Sequence, residues 1–145
     1  MPRPTRAHGR PDTEVIPTDW AASHRPVAEK TMRAATVELR HPGTTQAWDP
    51  GAEQMVDVPR APYWTGTARV QMLATRDQVN VVVGDVEYVA QYRIVVPAAV
   101  APTPADLCTV TVVDDAVLAG RTLTVGLVAT GSLIWERDVY AALVS

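Results

Sequence analysis

Apolar and polar residues alternate with a period of two through most of this chain. Ala35, Val37 and Leu39 are separated by Thr36, Glu38 and Arg40. The same rhythm returns at Ala68, Val70, Met72 and Ala74, at Val79, Val81 and Val83, and along a longer run from Val86 through Tyr88, Ala90, Tyr92 and Ile94 to Val96. Cys108, Val110 and Val112 mark a fifth segment. Leu123, Val125, Leu127 and Ala129, then Leu133, Trp135, Val139, Ala141 and Leu143, form the last two, joined at Gly131-Ser132 as a hairpin. This period places one set of side chains on a buried face and the other in solvent. Seven short strands with turn signals between them predict a mostly β fold, a small antiparallel β-barrel.

Other segments break the rhythm. Thr18 or Asp19 can cap a helix, and Trp20, His24, Val27, Ala28, Thr31 and Met32 share one helical face, which predicts a helix over 18–32. Pro26 lacks an N–H for the carbonyl of Ala22, so a kink or split is expected there. Residues 1–17 hold four prolines and three arginines with little apolar content, and read as an extended arm. Residues 42–62 read as a long loop, because Pro42-Gly43, Asp49-Pro50-Gly51, Pro59 and Pro62 leave little room for regular structure. Loops of this length tend to be functional or disordered. Residues 97–104 read as another loop, and Asp115 to Gly120 as a compact turn.

The chain has 145 residues, enough for one barrel domain over 18–145 with a self-sufficient core. Its net charge of −3 predicts no bulk attraction to nucleic acid or to an anionic membrane. No apolar run reaches the length of a membrane span. Cys108 has no partner for a disulfide and reads as a small core residue. The chemistry of an active site is not legible. His8, His24 and His41 lack the spacing of a metal pair. Ser23, Ser132 and Ser145 lie outside any nucleophile elbow, and no glycine loop has phosphate-binding spacing. Asp114 and Asp115 are neighbours on opposite strand faces and read as turn caps. No catalytic residue, cofactor or metal is expected. Tyr88 and Tyr92 read as core. Arg137 falls on the face of Trp135 and Val139, which suits either core-edge packing or a subunit interface.

Several stretches, taken in order, resemble small head-to-tail connector proteins of siphophages that infect actinobacteria. The opening Val15-Ile16-Pro17-Thr18-Asp19-Trp20 and His24-Arg25-Pro26-Val27-Ala28-Glu29 is similar. So are Arg69-Val70-Gln71 and Tyr92-Arg93-Ile94-Val95-Val96-Pro97. The closing Leu118-Ala119-Gly120-Arg121-Thr122-Leu123-Thr124-Val125 and Gly131-Ser132-Leu133-Ile134-Trp135-Glu136-Arg137-Asp138 resembles the family most. Asp106-Leu107-Cys108 departs from the Gly-Asp turn expected there.

The resemblance implies a non-enzymatic head-closure (stopper) protein at the virion neck, assembled in the bacterial host cytoplasm. Its partners would be other copies in a ring of six or twelve, an adaptor or portal-side connector, and a tail terminator or tail tube protein, with packaged double-stranded DNA passing through the lumen. The arm and the helix residues Trp20, His24, Arg25 and Val27 would reach a neighbour or the adaptor above. Trp48 and Trp64, with Tyr63, would bring the 42–62 segment to the lumen or to another ring. Arg121, Trp135 and Arg137 complete the expected interface residues. A tail-terminator ring and a single-stranded nucleic-acid-binding barrel are the alternatives.

Overall fold

The computed structural model describes residues 18–30, 35–131 and 135–144. The arm at 1–17, the end of the expected helix at Thr31 and Met32, and Ser132-Leu133-Ile134 lie outside the described residues. Helix α1 (Trp20–Lys30) is followed by ten strands: β1 (Ala35–Arg40), β2 (Thr44–Asp49), β3 (Gln54–Pro59), β4 (Trp64–Met72), β5 (Val79–Val83), β6 (Val86–Ala90), β7 (Tyr92–Pro97), β8 (Leu107–Val113), β9 (Thr122–Val128) and β10 (Glu136–Leu143). Six of them close an antiparallel barrel in the order β1-β4-β7-β10-β9-β8, with β8 returning to β1. The fold is therefore the small β-barrel with an N-terminal helix that the alternation predicts.

The barrel interior is packed with short branched and small side chains. Val37, Leu39, Ile94, Val96, Val110, Leu123, Val125 and Val139 are fully buried, with Ala68, Ala141 and Cys108 filling between them. A narrow barrel leaves room for side chains of this size, which suits a chain with no phenylalanine. Each fully buried valine or leucine contributes about 1.5–3 kcal/mol relative to exposure.

The strands differ from the sequence reading in instructive ways. The expected strand from Val86 to Val96 is two strands broken at Gln91. Its first half pairs with β5, while its second half enters the barrel. Tyr88 is therefore half-buried in a hairpin, and only Tyr92 packs against the barrel core. Two bulges also flip side chains. In β8 the register passes from Val37↔Val110 to Thr36↔Val112, so Thr111 is extra, Val112 turns to solvent and Val113 packs on the core. In β9 it passes from Ala141↔Val125 to Tyr140↔Leu127, leaving Gly126 extra. Leu127 is consequently exposed and Val128 takes the inner face. Met72 at the end of β4 is exposed as well. Among the described residues the last strand starts at Glu136, the expected start at Leu133 lying outside them, and α1 runs through Pro26 as one uninterrupted helix.

The remaining four strands make two hairpins. The β5–β6 hairpin lies on the outside of β9 and β10. Its Val81 and Ala90 are buried there, together with the outward-facing register pair Thr124 and Ala142. A Cβ at Gly126 would overlap Val81, coming within 2.7 Å of its Cβ and closer still to Cγ2. Glycine at the bulge thus lets the hairpin sit flush. Val95 also points out of the barrel and is fully buried. Its register neighbours are Arg69 and Asp138, which belong to the ion pairs Arg69–Glu136 (3.8 Å) and Arg93–Asp138 (2.7 Å).

Candidate interaction surface

The β2–β3 hairpin corrects the expectation of an irregular 42–62 loop. Six residue pairs run from Thr44↔Pro59 to Asp49↔Gln54, and Asp49 caps the tip by accepting from the Gly51 and Ala52 N–H groups. The prolines sit at its ends and tip, where no ladder hydrogen bond is lost. No residue of either strand is fully buried on either face. The hairpin stands off the barrel, with the cross-strand pair Trp48 (60% exposed) and Met55 (53% exposed) on one side. It carries Asp49, Glu53 and Asp57 and no basic residue. An isolated two-stranded hairpin is marginal in water, and both its outer edges present unpaired backbone groups.

Its root is held by one buried carboxylate. Asp106 is 1% exposed, just before β8. Its Oδ1 lies 2.9 Å from His41 Nδ1, and its Oδ2 accepts from the Tyr63 hydroxyl at 2.7 Å and the Thr103 N–H at 2.9 Å. His41 directly follows β1 and Tyr63 directly precedes β4, so the two legs of the hairpin meet on the same side chain. Their rings stack with centroids 4.5 Å apart, and Tyr63 N–H donates to Leu39 O at 2.9 Å. Burial pushes the Asp106 carboxyl up, but the bonds from Thr103, Tyr63 and His41 together outweigh it and hold the group below its ordinary value. Burial first, then the bond to Asp106 and its charge, push the Tyr63 phenol above its usual range. Sequence reasoning missed this cluster. Its members lie 65 and 43 residues from Asp106 along the chain, and the only local signal is the polar Asp106 beside a strand start. Ala105, just before Asp106, sits at φ 78, a left-handed conformation that favours glycine.

The other expected interface residues fall into separate groups. Trp20 packs on Trp135 with ring centroids 4.7 Å apart, and the His24 ring lies tilted against Trp20 at 4.6 Å with its Nδ1 2.8 Å from Trp20 O. Arg25 and Val27 on α1 are exposed, as is Arg121, whose Nε donates to Val117 O. Trp64 is half-buried against the core over Gly66, where a Cβ would overlap its ring. Arg137 holds the barrel's own backbone. Its Nε donates to Val100 O (2.9 Å), its Nη1 to Ala129 O (3.1 Å) and its Nη2 to Ala98 O (3.1 Å). That is the core-edge role, with the guanidinium already occupied. Cys108 is a core residue whose thiol burial pushes up to about 12. Asp115 caps its turn by accepting from Val117 N–H.

A cavity of about 400 Å³ opens between Tyr63, Trp64 and the Ala99-Val100-Ala101 loop. Among the described residues, no group of three or more His, Cys, Asp or Glu side chains is placed to hold a metal ion, and no helix is long and apolar enough to cross a membrane. Against this geometry, residues 24–142 match the family of unknown function DUF6093. The chain belongs to DUF6093. The DUF6093 match takes in the projecting hairpin, the Asp106 cluster and almost all of the barrel, and begins inside α1 after Trp20. No curated protein and no solved structure matches the chain.

Proposed function

We propose that the protein is a structural virion component, a head-to-tail connector stopper that forms a homo-oligomeric ring below the portal and adaptor, retains packaged DNA and docks the tail. The observation that carries this reading is the β2–β3 hairpin, a sixteen-residue projection (Thr44–Pro59) with no buried face and an exposed Trp48–Met55 pair. A closed barrel has no free sheet edge of its own, so association falls to such appendages. A heterologous contact repeated around an axis closes a ring. The three carboxylates of the hairpin would repel phosphate, which suits a lumen that DNA slides through without being gripped. The same charges disfavour Trp48 as a base-stacking platform for single strands, which needs basic neighbours.

Two measurements test the reading. Immunogold labelling of purified particles should place the protein at the neck; labelling confined to tail tips or absent from virions refutes it. Particles carrying a deletion of residues 43–58 should lose packaged DNA. Filled heads that retain their genome after this deletion would remove the hairpin from the closure role.

A further inference from the structure

The cavity beside Tyr63 is preformed. Its loop wall is held by Arg137, which binds the carbonyls of Ala98 and Val100, and by the turn in which Val100 N–H donates to Pro97 O at 3.0 Å. The Tyr63 hydroxyl is engaged by Asp106, so what the opening offers is aromatic ring, alanine methyls and Val100. At about 400 Å³ it has room for a bulky aromatic side chain.

The chain presents such a group with no seat of its own. Trp48 is 60% exposed and pairs with Met55 across the β2–β3 hairpin. It does not line the cavity of its own chain. It lies four register pairs beyond Thr44, about 13 Å further along the strand, whereas Tyr63 belongs to the hairpin's root. Charge divides along the same axis. Asp49 and Glu53 sit at the tip, and Asp57, opposite Gln46, shares the face of Trp48 and Met55. The root carries arginines instead. Arg40 ends β1 one residue before His41, whose ring stacks on Tyr63, and Arg60 Nε lies 4.0 Å from the Cβ position of Gly43 on the facing leg.

We propose that Trp48 of one copy seats in the Tyr63–Val100 cavity of the next copy, tip to root. This names the subunit contact of the ring proposed above and rests on that reading. The contact is heterologous: each copy gives one knob and one cavity, and repetition about an axis closes a ring. A tryptophan in a desolvated pocket is a strong anchor for an interface. The acidic tip against the arginine-bearing root sets the orientation and disfavours tip-to-tip pairing.

Two variants of the full-length chain separate knob from cavity. Trp48→Ala lacks the knob and keeps the cavity, whereas Ala99→Trp keeps the knob and fills the cavity. Sedimentation equilibrium up to about 1 mM protein detects even a weak contact. The wild type should form multimers, and each variant alone should stay at the monomer mass of 15.7 kDa. An equimolar mixture should form dimers and nothing larger, because a single knob-and-cavity contact remains. A wild type that is monomeric throughout, a Trp48→Ala chain that keeps the wild-type multimer, or a mixture of two folded variants that stays monomeric overturns the proposal. Unmodified protein gives a second readout by nuclear magnetic resonance. In a mixture of carbon-13-labelled and unlabelled chains, isotope-filtered Overhauser contacts should join Val100 methyls of one chain to the Trp48 ring of another; their absence also overturns it. Failure here is distinct from failure of the stopper reading: a Trp48→Ala multimer at the neck removes only this contact, and a knob-and-cavity dimer from a protein absent from the neck removes only the stopper role.

Discussion

Replacing Asp106 probes the root of the projecting hairpin directly. Asp106→Ala removes a buried acceptor from the Tyr63 hydroxyl, the Thr103 N–H and His41 Nδ1. A hydrogen bond to a charged group is worth about 1.5–3 kcal/mol, and a buried donor left alone costs about 1–3 kcal/mol. These contributions overlap, because His41 is half exposed and water can replace one of them. The expected loss is about 3–5 kcal/mol, a large share of the stability of a domain this size. Asp106→Asn keeps the shape but turns an amide N–H₂ toward donors, for a loss of about 2 kcal/mol. Urea unfolding at neutral pH, followed by tryptophan fluorescence, measures both. Hydrogen exchange should show faster opening of residues 42–60 in either variant. The carboxyl is held below its ordinary 3.8 in the folded state, so the folded protein binds fewer protons than the unfolded one near that pH. Its contribution is complete above about 3.8 and disappears as pH falls through the lower folded value. The stability gap between wild type and Asp106→Asn should therefore narrow on acidification. A loss under about 1 kcal/mol for Asp106→Ala, or a gap that widens in acid, would refute the clamp.

Further outcomes follow from single contacts. Gly126→Ala should cost about 1–3 kcal/mol by pushing Val81 off β9, and Val81→Ala in the same chain should recover part of it; thermal unfolding of the two variants checks this. Ala105→Gly should stabilise by about 0.5–1 kcal/mol by relieving the positive φ, read as a higher Tm. Arg137→Lys should fail to rescue the loss seen in Arg137→Ala, because a point charge cannot reach three carbonyls in different directions; urea midpoints compare the two. The Cys108 thiol, pushed up to about 12 by burial, should react with iodoacetamide at pH 8 only at the rate of global unfolding.

The barrel was legible wherever one strand face is buried. Val37 and Leu39 in β1 alternate strictly with polar residues and the fold keeps that alternation; Ile94, Val96 and Val139 also point inward as expected, although Val95 between the first two is buried on the outer face. The alternation failed at Val112 and Leu127, because a bulge adds a residue that no composition rule marks in advance. The β2–β3 hairpin was illegible for a different reason. With neither face buried, Thr44–Asp49 and Gln54–Pro59 carry no apolar period, and their prolines mimic a loop. The Asp106 cluster is assembled by barrel closure from three distant stretches, so no local spacing announces it. Of the expected surface residues, Trp48 stands free, whereas Trp64, Trp135 and Arg137 are taken up by packing against the chain itself.

Both legs of the outlying hairpin end on the same carboxylate, and this gives the molecule a mechanical character. The Asp106 contacts and the Tyr63 N–H bond to Leu39 O tie the projection down where it leaves the barrel. A load applied near Trp48 becomes a torque at Asp106, where it meets the start of β8 and the Thr103 loop rather than the middle of any barrel strand. The ladders of the six closed strands lie away from that anchor, so strain entering through the hairpin falls first on a side-chain network.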